Sequence, residues 1–160
     1  MIDISEKKIV ARFAKARGRI ALSEKSIEAI REGTVKKGDV IECAKIAGTL
    51  AVKRIHEIIP YCHQVPTESI EFNFSILDKS RAIECTCEVK ALHKTGVEME
   101  ALLGVEIALI TIWDMVKYME KDENGQYPDT RMDEIKVVEK TKGSSCRLDD
   151  QSKLDHISST

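Results

Sequence analysis

The sequence has almost no excess of charge of either sign: 25 Lys and Arg against 27 Asp and Glu leave a formal net charge of -2. With no global basic field to hold a nucleic acid, any anion site has to be local. Long hydrophobic runs are also missing, since no apolar stretch approaches the roughly 20 residues that cross a bilayer. The opening MIDISEKK carries acids instead of a basic stretch followed by an apolar one, so a secretory signal is not indicated. These absences predict a cytoplasmic protein with neither a membrane nor a nucleic-acid partner. The cysteines Cys43, Cys62, Cys85, Cys87 and Cys146 are odd in number and lack paired C-x-x-C spacing. Neither a disulfide framework nor a zinc ribbon is suggested, and they read as reduced thiols. There is no GxxxxGK(S/T) loop, so a phosphate site here would not be a P-loop.

At 160 residues, 42% apolar and 32% charged, the chain fits one domain with one core. The segment 9–22, IVARFAKARGRIAL, has the β-branched and alternating character of a strand. Ser23 as N-cap and Gly33 as left-handed stop frame a short helix over 24–32. Asp39 and Glu42 make a capping-box-like start to a helix whose apolar residues Ile41, Ala44, Ala47, Ala51, Ile55 and Ile58 recur at helical spacing until Pro60. Gly48 within it signals close packing. Ile70, Phe72, Phe74 and Ile76 alternate on one strand face. The turn DKSR leads to Ile83, Cys85, Cys87, Val89 and Ala91 opposing Glu84, Thr86, Glu88 and Lys90, which predicts an antiparallel hairpin. Thr95 and Glu98 form a T-x-x-E box opening a central helix that is apolar nearly all round. Asn124-Gly125 predicts a tight turn, and EIKVVEK one last strand. The order strand, helix, helix, strand, strand, helix, strand is that of an α+β ferredoxin-like sandwich, with helices on one face of an antiparallel sheet. The expected domain is 1–143, followed by a disordered tail over 144–160.

Such a fold hosts many functions, so the candidate residues carry the argument. Glu98, Glu100, Asp114 and Lys117 interrupt the central helix, where unpaired ionised groups are costly to bury. Glu100, Leu103, Ile107, Ile110, Asp114 and Lys117 share one stripe, which suits a neighbouring subunit. Glu100 and Asp114 are 14 positions apart, roughly 21 Å along a helix axis, too far to touch one small substrate from the same helix. A site using both needs two subunits. The plain alternative is that Asp114 and Lys117 form an i, i+3 ion pair. The proline-bounded loop presents Cys62 and His63, with the imidazole as donor, acceptor or acid and base. Cys43, His56, Cys62 and His63 show no recognised ligand spacing, so no metal is expected. Cys85 and Cys87 read as small buried apolar residues, and His93 as a surface or turn residue. Arg12, Lys15, Arg17 and Arg19, then Lys36 and Lys37, then Lys140 and Lys142, are basic clusters at element ends. They suit either a triphosphate cradle or ordinary solvated surface. The residues alone lead to an anion pocket at a subunit interface.

The segments MIDISEK, VKKGDVIECAKIAGTLAVKRIHEIIPYCH, KTGVEMEALLGVEIALITIWDMVK and IKVVEKTKG together resemble the cyclic pyranopterin monophosphate synthase family, also called molybdenum cofactor biosynthesis protein C. The resemblance spans most of residues 1–143. It implies conversion of 3′,8-cyclo-7,8-dihydro-GTP to cyclic pyranopterin monophosphate and diphosphate, a lyase reaction without redox change or cofactor. It implies Asp114 and Lys117 as catalytic residues, and Tyr61, Cys62, His63, Glu98, Met99 and Glu100 as substrate-binding, with Lys37, Lys140, Asp3 and Arg12 as further pocket positions. A ferredoxin-like domain and a hexamer, a trimer of dimers with sites at subunit interfaces, are likewise implied. This sequence departs from the family pattern at Gln64, where proline is usual, at Glu106, where a smaller residue is usual, and at Lys136, where arginine is usual. The segment between Lys117 and Lys136 is also longer. Two other classes fit parts of the pattern: a non-catalytic oligomeric nucleotide-binding or regulatory module, in which Asp114 and Lys117 are dispensable, and a metal-binding protein using Cys62 or His63.

Overall fold

The computed structural model describes residues 1–145. Its elements are β1 (Val10–Ala21), α1 (Glu24–Arg31), α2 (Val40–Lys53), α3 (Ile55–Ile58), β2 (Ser69–Leu77), β3 (Ala82–His93), α4 (Glu98–Glu120) and β4 (Arg131–Ser145). One four-stranded antiparallel sheet runs β2-β3-β1-β4, with the helices on one face, the α+β ferredoxin-like arrangement expected from the element order.

Strand alternation divides the chemistry between the faces. Ala14, Ala16 and Ile20 of β1 and Ile83, Cys85, Cys87 and Val89 of β3 are fully buried in the core with α4. The odd-numbered residues of β1 point the other way, so Lys15, Arg17 and Arg19 lie on the opposite sheet face. Register places Lys15 across from Glu88 and Arg19 across from Glu84, and these pairs close at 2.8 and 2.9 Å as cross-strand ion pairs. Arg17 pairs with Glu134 at 3.3 Å and lies 3.8 Å from Glu84, so of the four cations read as either a triphosphate cradle or ordinary surface charge, these three are paired on the sheet. Arg12, on the even side, braces the turn after β3 by donating to the carbonyls of His93 at 3.1 Å and Lys94 at 2.8 Å.

Local signals account for most element ends. Ser23 accepts from the amide of Ser26, Gly33 takes φ +67°, and Asp39 accepts from the amide of Glu42 at 3.0 Å. Gly125 sits at φ +76° in the turn predicted there, and its amide bonds to the Asp122 carbonyl at 3.0 Å. Two helix ends differ from expectation. The single helix predicted up to Pro60 breaks at Arg54, at φ −119° and ψ 15°. The break turns Ile55 into a small cluster with Ala51 and Leu103. Thr95 does not cap α4: the N-cap is Val97, whose side chain is fully buried, and the Glu98 carboxylate pairs with Lys140 instead of reaching back. His93, read as a surface or turn residue, is the last residue of β3 and half-buried.

Gly48 lets α2 approach α4 closely, as expected from its position. A Cβ there would lie 2.9 Å from the Gly104 carbonyl oxygen and 2.6 Å from the Phe72 ring, too close for either to stay in place. β4 continues to Ser145, two residues past the expected end of the domain at 143, and the rest of the predicted tail lies outside the described residues. Among the described residues no helix is long and apolar enough to cross a membrane.

Candidate active site

The loop after α3 and the first turn of α4 converge on a cleft of about 630 Å³ lined by Tyr61, Cys62, His63, Thr95, Gly96, Glu98, Met99, Glu100 and Lys140, with Ile59 and Val137. Every substrate-binding position named above from the PYCH loop and the VEME segment lies here, together with Lys140.

The two carboxyl groups of the cleft are driven apart. Burial pushes Glu98 up, but the hydrogen bond from Lys140, its own amide and the charges of Lys140 and Arg12 outweigh it, so the carboxyl lies below its ordinary range. The Lys140 Nζ to Glu98 Oε1 distance is 2.8 Å. Glu100, only 1% exposed, has an Oε1 without a hydrogen-bond partner among the described residues. Burial raises it to about 7; its own amide opposes this and the Glu98 charge adds to it. One acid that keeps its charge therefore stands beside one that holds a proton near neutrality, the division of labour an acid and base site needs. Cys62 is also pushed up, by burial and then by Glu100, so it is not a ready nucleophile. Among the described residues no group of three or more His, Cys, Asp or Glu is gathered to hold a metal ion.

His63 Nε2 lies 2.9 Å from the Ile2 carbonyl oxygen. A carbonyl only accepts, so Nε2 carries the proton and donates, leaving Nδ1 as the acceptor of the neutral ring. The N-terminal segment thus orients His63, which sequence reasoning missed because a backbone carbonyl leaves no residue-type signal. Asp3 does not line the cleft; its carboxylate accepts from the Ser5 amide at 2.8 Å, next to the residue that holds His63. Arg12 lies at the edge as a brace and a charge near Glu98. Gly96 and Thr95 were also missed as lining residues, because the T-x-x-E pattern reads as a helix cap.

Asp114, Lys117 and Lys37 form a separate cluster toward the other end of α4. Asp114 Oδ1 pairs with Lys117 Nζ and Oδ2 with Lys37 Nζ, both at 2.7 Å, and Lys37 also donates to the Asp114 carbonyl at 2.7 Å. The hydrogen bonds from Lys117 and then Lys37 pull Asp114 down to about 2, and Asp114 in turn raises Lys117. The plain i, i+3 pair expected from spacing is present, with a third member from the loop before α2. The separation of 14 positions puts this cluster roughly 21 Å along the helix from Glu100. One chain therefore holds the predicted site as two halves.

Comparison with known proteins bears on both halves. The MoaC family model matches residues 1–143. A protein of Thermococcus kodakarensis named "Probable cyclic pyranopterin monophosphate synthase" is 56% identical over 143 residues, covering 89% of this chain and 90% of its own. Proteins of the same name from Methanosarcina mazei and Thermoplasma acidophilum are each 52% identical, covering 91% and 89% of this chain and 91% and 98% of their own. With a match that takes in the cleft, the Asp114 cluster and nearly all of the sheet, the chain belongs to the MoaC family.

Proposed function

We propose that this chain is a cyclic pyranopterin monophosphate synthase, converting 3′,8-cyclo-7,8-dihydro-GTP to cyclic pyranopterin monophosphate with release of diphosphate in molybdenum cofactor biosynthesis. Family membership and the relatives' shared name support the activity. The observation that carries the reading is the contrast between Glu98 and Glu100 in one cleft, with Lys140 paired to Glu98 at 2.8 Å.

The reaction has no redox change. A ring opens and recloses, a substrate hydroxyl attacks the α-phosphorus, and the bond to the departing diphosphate breaks. Tyr61, Cys62, His63, Met99 and Glu100 hold the fused-ring end, with neutral Glu100 as hydrogen-bond donor and His63 Nδ1 as acceptor. Lys140 and Lys37 offset charge on the phosphates. Asp114, clamped by two ammonium groups, is too weak a base at rest. Asp114 also raises Lys117, so the pair is a poor acid and a poor base while closed; phosphate oxygens that draw the two ammonium groups away would restore the basicity of Asp114 and free Lys117 to give up its proton.

Because the halves lie far apart on α4, the working enzyme is an assembly in which one copy's cleft meets another copy's Asp114 cluster. The family's cytoplasmic hexamer, a trimer of dimers with interface sites, is the form this reading adopts. The test is incubation of the purified protein with 3′,8-cyclo-7,8-dihydro-GTP, without a redox cofactor, following diphosphate and the cyclic product. Asp114→Asn and Lys117→Ala are expected to lower turnover by about 10²- to 10⁴-fold with folding intact. A well-folded protein that binds the nucleotide without turnover would replace the synthase with a binding module.

A further inference from the structure

Gly96 stands two residues before Glu98, in the turn between β3 and α4. A Cβ built on it would fall on Glu98 Oε2, 2.8 Å from Cδ and 3.0 Å from Oε1. The Glu98 carboxylate thus occupies the space in which any other residue at 96 would keep its side chain. Gly96 is not among the glycines with positive φ, which are Gly33, Gly38 and Gly125. Its need for glycine is one of space, not of backbone conformation. What a methyl group would strike is the free end of one flexible side chain, so the fold survives while the carboxylate moves.

That carboxylate has one cation to hold. Lys140 donates to Glu98 Oε1 at 2.8 Å, and its side chain is 68% exposed against 25% for Glu98. Glu98 is the only acid within ion-pair reach of Lys140 among the described residues. A lysine on a four-carbon stem keeps many rotamers unless something fixes its ammonium. We propose that Gly96 is a positioning residue of the cleft: by leaving room for the Glu98 carboxylate, it fixes that group against Lys140 and so sets where the Lys140 ammonium stands.

The kinetic part of the test rests on the synthase reading, and the spectroscopic part does not. The full chain is labelled with ¹³Cε-lysine, and the Lys140 signal is assigned with Lys140→Arg. In Gly96→Ala that signal is expected to move to the position seen in Glu98→Gln, and the double variant to match Glu98→Gln alone. For 3′,8-cyclo-7,8-dihydro-GTP, KM is expected to rise about tenfold in Gly96→Ala with a smaller change in kcat, again without adding to Glu98→Gln. An unmoved Lys140 signal, or a Gly96→Ala effect that persists in the Glu98→Gln background, would overturn the proposal. If Gly96→Ala does not fold, Gly96→Ala with Glu98→Ala removes the obstruction and is expected to fold; failure of both would overturn it as well. Absence of wild-type turnover would sink the synthase reading and leave the spectroscopic comparison to decide the role of Gly96.

Discussion

Glu100 is where a single side chain decides most. Its native pKa of about 7 stands above the ordinary 4.5, so the folded chain binds this proton more tightly than the unfolded one. The stability it contributes is therefore fully present below pH 4.5 and is lost as pH rises through about 7. Glu100→Gln keeps the shape and removes the titration. Denaturant unfolding of both proteins across this range is expected to show the wild type losing on the order of 2 kcal/mol relative to the variant. A constant difference would mean that Glu100 is already ionised in the fold. The sequence makes Glu100 conspicuous as an acid in an apolar helix, but not its separation from Glu98. That separation depends on Lys140, 42 residues further on, and on which turn of α4 faces the cleft.

At the scale of elements, the last residue of α4 ties three of them together. The Glu120 carboxylate, 7% exposed, accepts from the Ser23 amide at 3.1 Å, from the Ser23 hydroxyl at 2.7 Å and from the Thr130 hydroxyl. It thereby joins the start of α1, the end of α4 and the segment leading into β4. Burial pushes Glu120 up, but the hydrogen bonds with Ser26, Thr130 and Ser23 outweigh it and the carboxyl lies below 4.5. A depressed native pKa contributes stability above the unfolded value and loses it as pH falls through the native one. Glu120→Gln is expected to cost about 1 to 3 kcal/mol at pH 7, with the gap to wild type narrowing once pH drops below 4.5. A gap that persists in acid would assign the loss to shape instead of charge. Ser23 is readable in sequence as a cap, and the hairpin, the glycine at 48 and the stop at Gly33 are equally local signals. Its second partner is not readable, because Glu120 lies 97 residues away. The same distinction explains Thr95: the T-x-x-E pattern is local, but burial of Val97 and the pull of Lys140 on Glu98 are not, and they won.

For the whole molecule, the synthase reading asks whether the cleft of one copy meets Asp114 of another. Helix rise alone separates them by roughly 21 Å, and the structure places both on the rigid α4, so no loop movement within one chain joins them. The stripe read from sequence between them is not uniform. Leu103 is covered by Ala51 and Ile55 of the same chain, whereas Ile110 is 49% exposed next to the Asp114 half. A single exposed apolar residue is ordinary on a protein surface, so the stripe alone does not decide whether another copy covers the Asp114 half. Subunit mixing tests this directly. Glu100→Ala disables the cleft half and Asp114→Asn the other, so each homogeneous assembly is expected to be nearly inactive. If every site takes its cleft from one copy and Asp114 from a neighbour, an equal mixture assembled together gives an intact pair at about one site in four, and about a quarter of wild-type turnover returns. If each chain supplied both halves to its own site, every site in the mixture would carry one defect and turnover would stay at the level of the single variants.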